Sequence, residues 1–355
     1  MPLKNVKPVI TEIENFINGI QTPIARYNFT TKSVVTATLL CIGDSMYEGT
    51  GSSSEPNKLI TKIQAQIQTN QVGYSEEEYT FFPSYAVVGT SAAITMTGTY
   101  ATVSNVNSSP LPWVQTETDT DTFDVLSYGY NSKILFASDD AITGKTPGTL
   151  DRSIDGGSIT TIDLAGEDKY KWVNTGATAG TTTVSFEVNI AEGQSVAFQS
   201  IHLQTGLEGL KVVNYGIGGT TAKDWADQEN IIDAFKPECT MIGLGGNDIV
   251  NSLSIESDEI NLSSLIVKCQ THGDVILTFY APIVTADPTF LANIPIFEKV
   301  AEKVAEKYNV KYINFNKVLV DGATATANDL MADALHPNDN GYEVLYRYFK
   351  SGVEL

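Results

Sequence analysis

Short apolar runs, each stopping at a turn-forming segment, set the strongest limit on how this chain folds. Thr36–Ile42 stops at Gly43-Asp44-Ser45, and Leu210–Asn214 leads into Gly216-Ile-Gly-Gly219-Thr220. Cys239–Leu244 stops at Gly245-Gly-Asn247-Asp248, Asp274–Tyr280 at Ala281-Pro282, and Val310–Asn314 forms one more run. Apolar runs of this length fit strands buried on both faces, as in parallel sheets. Amphipathic stretches lie between them. Leu59, Ile60, Ile63 and Ile67 share a face over 57–69, and Phe297, Val300, Val304 and Tyr308 share one over 295–308. Further helices are predicted over 222–234 and 341–348. Strands alternating with helices specify a doubly wound, mostly parallel α/β sheet.

The alternation is interrupted. From about Tyr79 to Gln204 the chain is rich in Thr, Ser, Gly, Tyr and Val, with short alternating stretches such as Lys133–Ala137, Thr182–Val188 and Ser195–Gln199. Many short strands separated by turn signals, here Asp155-Gly-Gly and Thr175-Gly-Ala, predict an inserted antiparallel β-sandwich. At the start of the chain, Val6, Ile10, Ile13, Phe16 and Ile17 recur at helical spacing. The expected organisation is an N-terminal helix and linker (1–35), a discontinuous α/β domain (36–80 and 206–355) and the β-rich insert (81–205).

The 355 residues carry 42 acidic against 22 basic side chains, a formal net charge of −20. Such a field repels phosphate backbones and anionic lipid, so nucleic acid is not an expected partner and a neutral substrate is. Hydrophobic residues make up 42% of the chain, enough for a substantial core. The cysteines Cys41, Cys239 and Cys269 form no disulfide framework, and Cys41 and Cys239 read as buried strand residues. No membrane span is expected. Residues 1–20 lack the pattern of a secretory signal peptide. The compartment is therefore left open between the cytoplasm and export without a cleaved leader, as in incorporation into a virus particle. The N-terminal helix is a candidate handle for homo-oligomer or virion assembly.

Segments with chemical potential sit where the apolar runs stop, and carboxyl ends of parallel strands are where ligands bind. Ser45, in a tight turn, offers a hydroxyl and a backbone N–H to one small volume. A hydroxyl nucleophile needs a base, and the base needs an orienting acceptor. Asp333-Ala-Leu-His336 supplies both within one turn. The other histidines, His202 in the insert and His272 in a polar turn, have no comparable partner pattern. Asn247 offers a neutral amide donor suited to a developing oxyanion. The glycines around Gly219 let backbone N–H groups approach a ligand. Taken singly, each of these segments is also ordinary turn chemistry.

In this order and placement the blocks resemble those of the SGNH hydrolases, or GDSL-type esterases. Gly43-Asp44-Ser45 matches the family's first block, Asn214-Tyr-Gly-Ile-Gly-Gly219-Thr its second, Gly245-Gly-Asn247-Asp248 its third and Asp333-Ala-Leu-His336 its fourth. The resemblance covers about residues 36–70 and 209–350. It implies a flavodoxin-like α/β fold and a serine esterase with Ser45 as nucleophile, His336 as general base and Asp333 as its partner. It further implies an oxyanion hole made by Ser45, Gly219 and Asn247, with no metal or organic cofactor. The chain departs from the family in the distance between its first two blocks, which the insert fills. Jelly-roll-like modules accompany SGNH domains in esterases that act on carbohydrates. By that analogy the insert is a candidate carbohydrate-binding module and an O-acetylated glycan the expected substrate. A lipase or thioesterase with the same triad is the alternative enzyme. A virus tail or receptor-binding protein that recognises glycans is the alternative from another class.

Other motifs fall away. Gly144-Lys145-Thr146 lacks the upstream glycine of a phosphate loop, since Asp139 stands in its place. Asp119-Thr-Asp121-Thr-Phe-Asp124 lacks the glycine and glutamate of a calcium loop and is expected to be a solvated acidic loop. There is no Gly-x-Ser-x-Gly elbow, and scattered histidines and cysteines cannot build a zinc site.

Overall fold

In the computed structural model, Ala37–Gly43 (β1) is a strand whose Leu39, Leu40, Cys41 and Ile42 are fully buried. The structure describes residues 27–28, 37–70, 79–81, 94–103, 113–127, 133–138, 145–166, 170–176, 182–203, 210–228, 230–281, 288–319 and 322–354. The helix predicted near the N-terminus lies outside the described residues. After β1 come a short helix, Ser45–Glu48 (α1), and a longer one, Leu59–Asn70 (α2). Leu210–Gly216 (β2), Cys239–Gly243 (β3), Asp274–Phe279 (β4) and Lys311–Asn314 (β5) join β1 in a five-stranded sheet of order β2-β1-β3-β4-β5. The β1–β3, β3–β4 and β4–β5 pairs are parallel. This order is that of the flavodoxin-like doubly wound sheet, with its switch point beside β1. The carboxyl ends of β1 and β3 therefore flank the crevice where such folds bind ligands.

The helices obey the apolar periodicity, with instructive differences. The stretch predicted as one helix over 222–234 is two, Ala222–Asp227 (α3) and Asn230–Phe235 (α4). The break falls at the polar run Asp227-Gln228-Glu229-Asn230, where no apolar side chain is available to hold a continuous buried stripe. Gln228 is itself buried there and accepts a hydrogen bond from the Tyr170 hydroxyl at 2.8 Å. Two more helices are Gly246–Val250 (α5) and Ile255–Gln270 (α6), the latter capped by Ser254, whose side chain accepts from the Ser257 N–H. Pro288–Tyr308 (α7) starts earlier than Pro295, which the sequence reading took as its first residue. Pro295 removes the bond to the Leu291 carbonyl. Both residues are exposed, so water can take over that carbonyl. Asp339–Gly352 (α8) buries Tyr342, Val344, Leu345, Tyr348 and Phe349. No helix among the described residues is long and apolar enough to cross a membrane. Cys41, Cys239 and Cys269 are free thiols, all buried.

The described residues group into two units, one drawn from 1–72, 214–226 and 236–355, the other from 73–213 and 227–235. The second holds two largely antiparallel sheets. One orders strands Thr160–Asp163, Thr149–Ile154, Thr182–Asn189, Thr122–Ser127 and Ile94–Thr97. The other orders Tyr170–Asn174, Lys133–Ala137, Gln194–Leu203, Trp113–Thr116 and Ala101–Val103, with Tyr79–Phe81 and Thr146–Pro147 pairing onto Gln194–Leu203. Side chains alternate across Thr182–Asn189, so Val184, Phe186 and Val188 point inward. They meet Val114, Ile134, Phe136, Val196 and Phe198 of the other sheet in one apolar core. The Phe123 ring stacks on Phe186 and Phe198 at centroid distances of 4.8 and 4.7 Å. Full burial of each such ring contributes about 1.5–3 kcal/mol.

One expectation is corrected here. Asp121 does not belong to a solvated acidic loop: it is 5% exposed. Its carboxylate accepts from the Thr116 hydroxyl at 2.5 Å and the Thr99 N–H at 2.9 Å. Specific donors make burial of a carboxylate tolerable where composition alone favours solvent.

Candidate active site

The turn that carries Ser45 rests on strand-end glycines. Gly43 and Gly243, register partners at the carboxyl ends of β1 and β3, lie against the ring of Tyr47. A Cβ on either would come within 2.7 and 2.4 Å of that ring. Gly216, ending β2, would place a Cβ 2.2 Å from the Glu48 backbone nitrogen. Side chains at these positions would push α1 off the sheet. Tyr47 is fully buried and its hydroxyl meets the Thr278 hydroxyl at 2.7 Å. Asp44 caps α1 by accepting from the Met46 N–H at 2.9 Å. Ser45, half-buried, is the first residue after that cap.

Ser45 and His336, far apart in sequence, are brought together. His336 Nε2 lies 2.9 Å from Ser45 Oγ. His336 Nδ1 lies 2.9 and 3.1 Å from the two oxygens of Asp333. A proton on Nδ1, facing the carboxylate, leaves the Nε2 lone pair directed at the serine hydroxyl. Asp333 also accepts from the N–H groups of Leu335 and His336, each at 2.7 Å. Slight burial works to raise its pKa. The His336 ring and those two N–H groups outweigh it and hold the carboxyl below its ordinary value. The loop is pinned at its neck by the Ala332 N–H to the His336 carbonyl at 2.9 Å. The helix that follows it, α8, is tied to the segment after α1: the Ser53 N–H donates to Asp339 and the Tyr342 hydroxyl to the Thr50 carbonyl, both at 2.8 Å.

The two remaining predicted residues lie on loops that are joined to each other. Gly219 is exposed with φ +83°, and an added Cβ would meet nothing within 4 Å, so backbone conformation rather than space calls for glycine there. Its loop is anchored by Thr220, whose hydroxyl lies 3.0 Å from the Gly43 carbonyl and accepts from the Trp225 indole at 3.1 Å. Asn247, in α5, donates one amide hydrogen to the Thr220 carbonyl at 3.0 Å, leaving the other for a ligand. Next to it, buried Asp248 accepts from the Ala222 N–H at 3.0 Å.

Sequence reasoning missed several contributors. Tyr47 was detectable as the object that strand-end glycines must accommodate. Glu48 accepts the Gly218 N–H at 2.9 Å and so shapes the second loop. Tyr280, beyond β4, donates its hydroxyl to the Leu335 carbonyl at 2.9 Å and supports the histidine loop from below. Nothing local in the sequence marks Glu48 or Tyr280. Burial raises the Asp44 carboxyl to about 7; the Met46 N–H opposes the shift, and the charges of Asp248 and Glu48 reinforce it.

The sequence model of the GDSL-like lipase/acylhydrolase family matches residues 177–344, a span that holds Gly219, Asn247, Asp333 and His336. Ser45 lies outside it, on the far side of the insert. An acetylxylan esterase of Geobacillus stearothermophilus is 28% identical over 159 residues, 40% of this chain and 71% of that protein. A multidomain esterase of Ruminococcus flavefaciens is 25% identical over 214 residues, 55% of this chain but only 24% of that protein. The solved structure of a peptidoglycan O-acetylesterase shares the fold at TM-score 0.63 and 11% identity, across 97% of this chain and 94% of that one. By its fold and these likenesses the chain is similar to the SGNH hydrolases. Residues 177–344, a little under half of the chain, match the GDSL-like lipase/acylhydrolase model, and the chain is a carboxylic ester hydrolase.

Proposed function

We propose that this esterase removes short acyl groups, acetyl above all, from a carbohydrate, using Ser45, His336 and Asp333. The observation that carries the reading is the 2.9 Å approach of His336 Nε2 to Ser45 Oγ, with Asp333 behind the ring. Ser45 Oγ attacks the ester carbonyl carbon as His336 takes its proton, and Asp333 steadies the imidazolium. The carbonyl oxygen becomes an oxyanion received by the N–H groups of Ser45 and Gly219 and the free amide hydrogen of Asn247. Collapse breaks the bond to the leaving alcohol, which takes the proton from His336, and leaves acyl-Ser45. Water then attacks that ester by the reverse route, releasing the carboxylic acid and restoring the serine.

The substrate class rests on separate supports. A net charge of −20 disfavours anionic surfaces and suits an acylated neutral sugar. The relative matched over most of its own length is an acetylxylan esterase. The second unit holds two largely antiparallel sheets, and we assign them contact with glycan. The test is a panel of acetylated saccharides and aryl esters of graded chain length. Acetyl esters should be cleaved fastest, and Ser45→Ala should lower kcat by about 10³-fold or more without altering the folded state. Retained turnover in Ser45→Ala refutes the nucleophile assignment. A preference for long acyl chains transfers the protein to the lipase reading.

A further inference from the structure

Behind the amide-bearing side of the site lies a pair of carboxyls that acyl transfer does not use. Asp248, in α5, and Asp258, in the first turn of α6, are 0% and 1% exposed. Neither oxygen of Asp258 has a hydrogen-bond donor among the described residues. Asp248 takes the Ala222 N–H, and its side chain faces that of Asp258 at hydrogen-bonding range. The other titratable groups acting on Asp248 are also acids: Asp224 on α3, and Asp44 at the end of β1. Two ionised carboxylates in contact, both out of water, repel each other and leave lone pairs without donors. A proton held between them removes one charge and supplies the missing donor.

We propose that Asp248 and Asp258 share one proton at neutral pH, and that this pair is a positioning device for the oxyanion donors. The inference rests on the roles given above to Gly219 and Asn247. Asp248 follows Asn247 directly, and its partner Ala222 lies three residues beyond Gly219. Two bonds sew the loops together: the Ala222 N–H to Asp248, and the Asn247 amide to the Thr220 carbonyl at 3.0 Å. Protonated Asp258, anchored in α6, holds the Asp248 carboxylate in the orientation that receives Ala222. Burial pushes both carboxyls upward, reinforced by the charge of Asp224 at Asp248 and by that of Asp248 at Asp258, so the proton stays at neutral pH and leaves on the alkaline side. Its loss drives the two oxygens apart and loosens the seam between the loops. Asp248 and Asp258 touch no reacting atom. They act through Asn247 and Gly219.

Infrared spectroscopy and paired variants test this. The wild-type protein at neutral pH should show a protonated-carboxyl stretch that disappears in Asp258→Asn and fades at alkaline pH. Asp258→Leu, similar in bulk but without a donor, should lose about 10- to 100-fold in kcat with KM within about twofold, the signature of displaced transition-state donors. Asp258→Asn, which donates from an amide at every pH, should restore kcat to within about threefold and remove the alkaline fall that the pair causes. The proposal is overturned if no variant-sensitive carboxyl band exists at neutral pH, or if folded Asp258→Leu keeps wild-type kcat. Should Asp258→Leu not fold, the infrared band and the pH profile of Asp258→Asn decide. The band is independent of turnover, so a failure of the Ser45 assignment would be seen separately.

Discussion

The two units of this protein bury polar atoms in opposite ways. In the β-rich unit the buried carboxylate of Asp121 is met by donors from Thr116 and Thr99, and the unpartnered buried atoms, Tyr100 Oη, Trp113 Nε1 and Ser195 Oγ, belong to neutral groups. In the α/β unit both oxygens of Asp258 lack donors among the described residues, and Asp44, Asp248 and Asp258 are pushed upward, by burial first. One unit satisfies its charge and devotes its interior to packed rings. The other holds buried acids that burial drives toward the protonated form, near the strand ends where its site lies. Perturbed acids concentrate where a fold trades stability for a site.

The difference can be broken first from the β-rich side. Phe186→Ala removes a ring stacked on Phe123 and should cost about 3–5 kcal/mol in denaturant unfolding of that unit. The kcat of the folded fraction on a small aryl acetate should not change, because that ester needs only the α/β site. An equal loss of stability and kcat would show that the units do not divide their tasks.

Titration sharpens the comparison from the other side. Asp44 has a folded pKa of about 7 against an ordinary value of 3.8, so the folded state binds the proton more tightly. Its contribution is fully present below about pH 4 and is lost as the pH rises through about 7. Asp44→Asn removes this dependence and should stabilise the α/β unit above pH 8, by up to about 4 kcal/mol, while gaining little at pH 4. Unfolding curves at the two pH values check it, and a variant less stable at both would contradict the sign.

The smallest effect is expected at Tyr280. Tyr280→Phe deletes the hydroxyl on the Leu335 carbonyl and should cost about 1 kcal/mol in stability. Activity should fall roughly fivefold through kcat, since the histidine loop loses one support while the substrate keeps its contacts. A rise in KM alone would assign Tyr280 to substrate binding instead.

Much of the α/β unit was legible because its signals are local. The buried strands announce themselves as apolar runs, and Ser45, Gly219, Asn247 and the Asp333–His336 pair sit in turns directly after such runs or within one short loop. What escaped depends on contacts between distant segments. At the break near Gln228, the burial of that side chain under a hydrogen bond from Tyr170 is a tertiary feature. The early start of α7 hinges on solvent beside Pro295 replacing a lost backbone bond. Asp121 looked like solvated charge because its donors, Thr116 and Thr99, are identified only once strands pair. Asp258 carries no local signal in the sequence, and only packing reveals that water is excluded from it.

The central claim is that Ser45 is the group acylated, with His336 as its base, and covalent trapping measures it most directly. A fluorophosphonate should form one adduct per chain, located on Ser45 by peptide mass spectrometry, and His336→Ala should slow its formation by about 10³-fold or more. An adduct on another residue, or full ester turnover with no adduct at Ser45, would contradict the account.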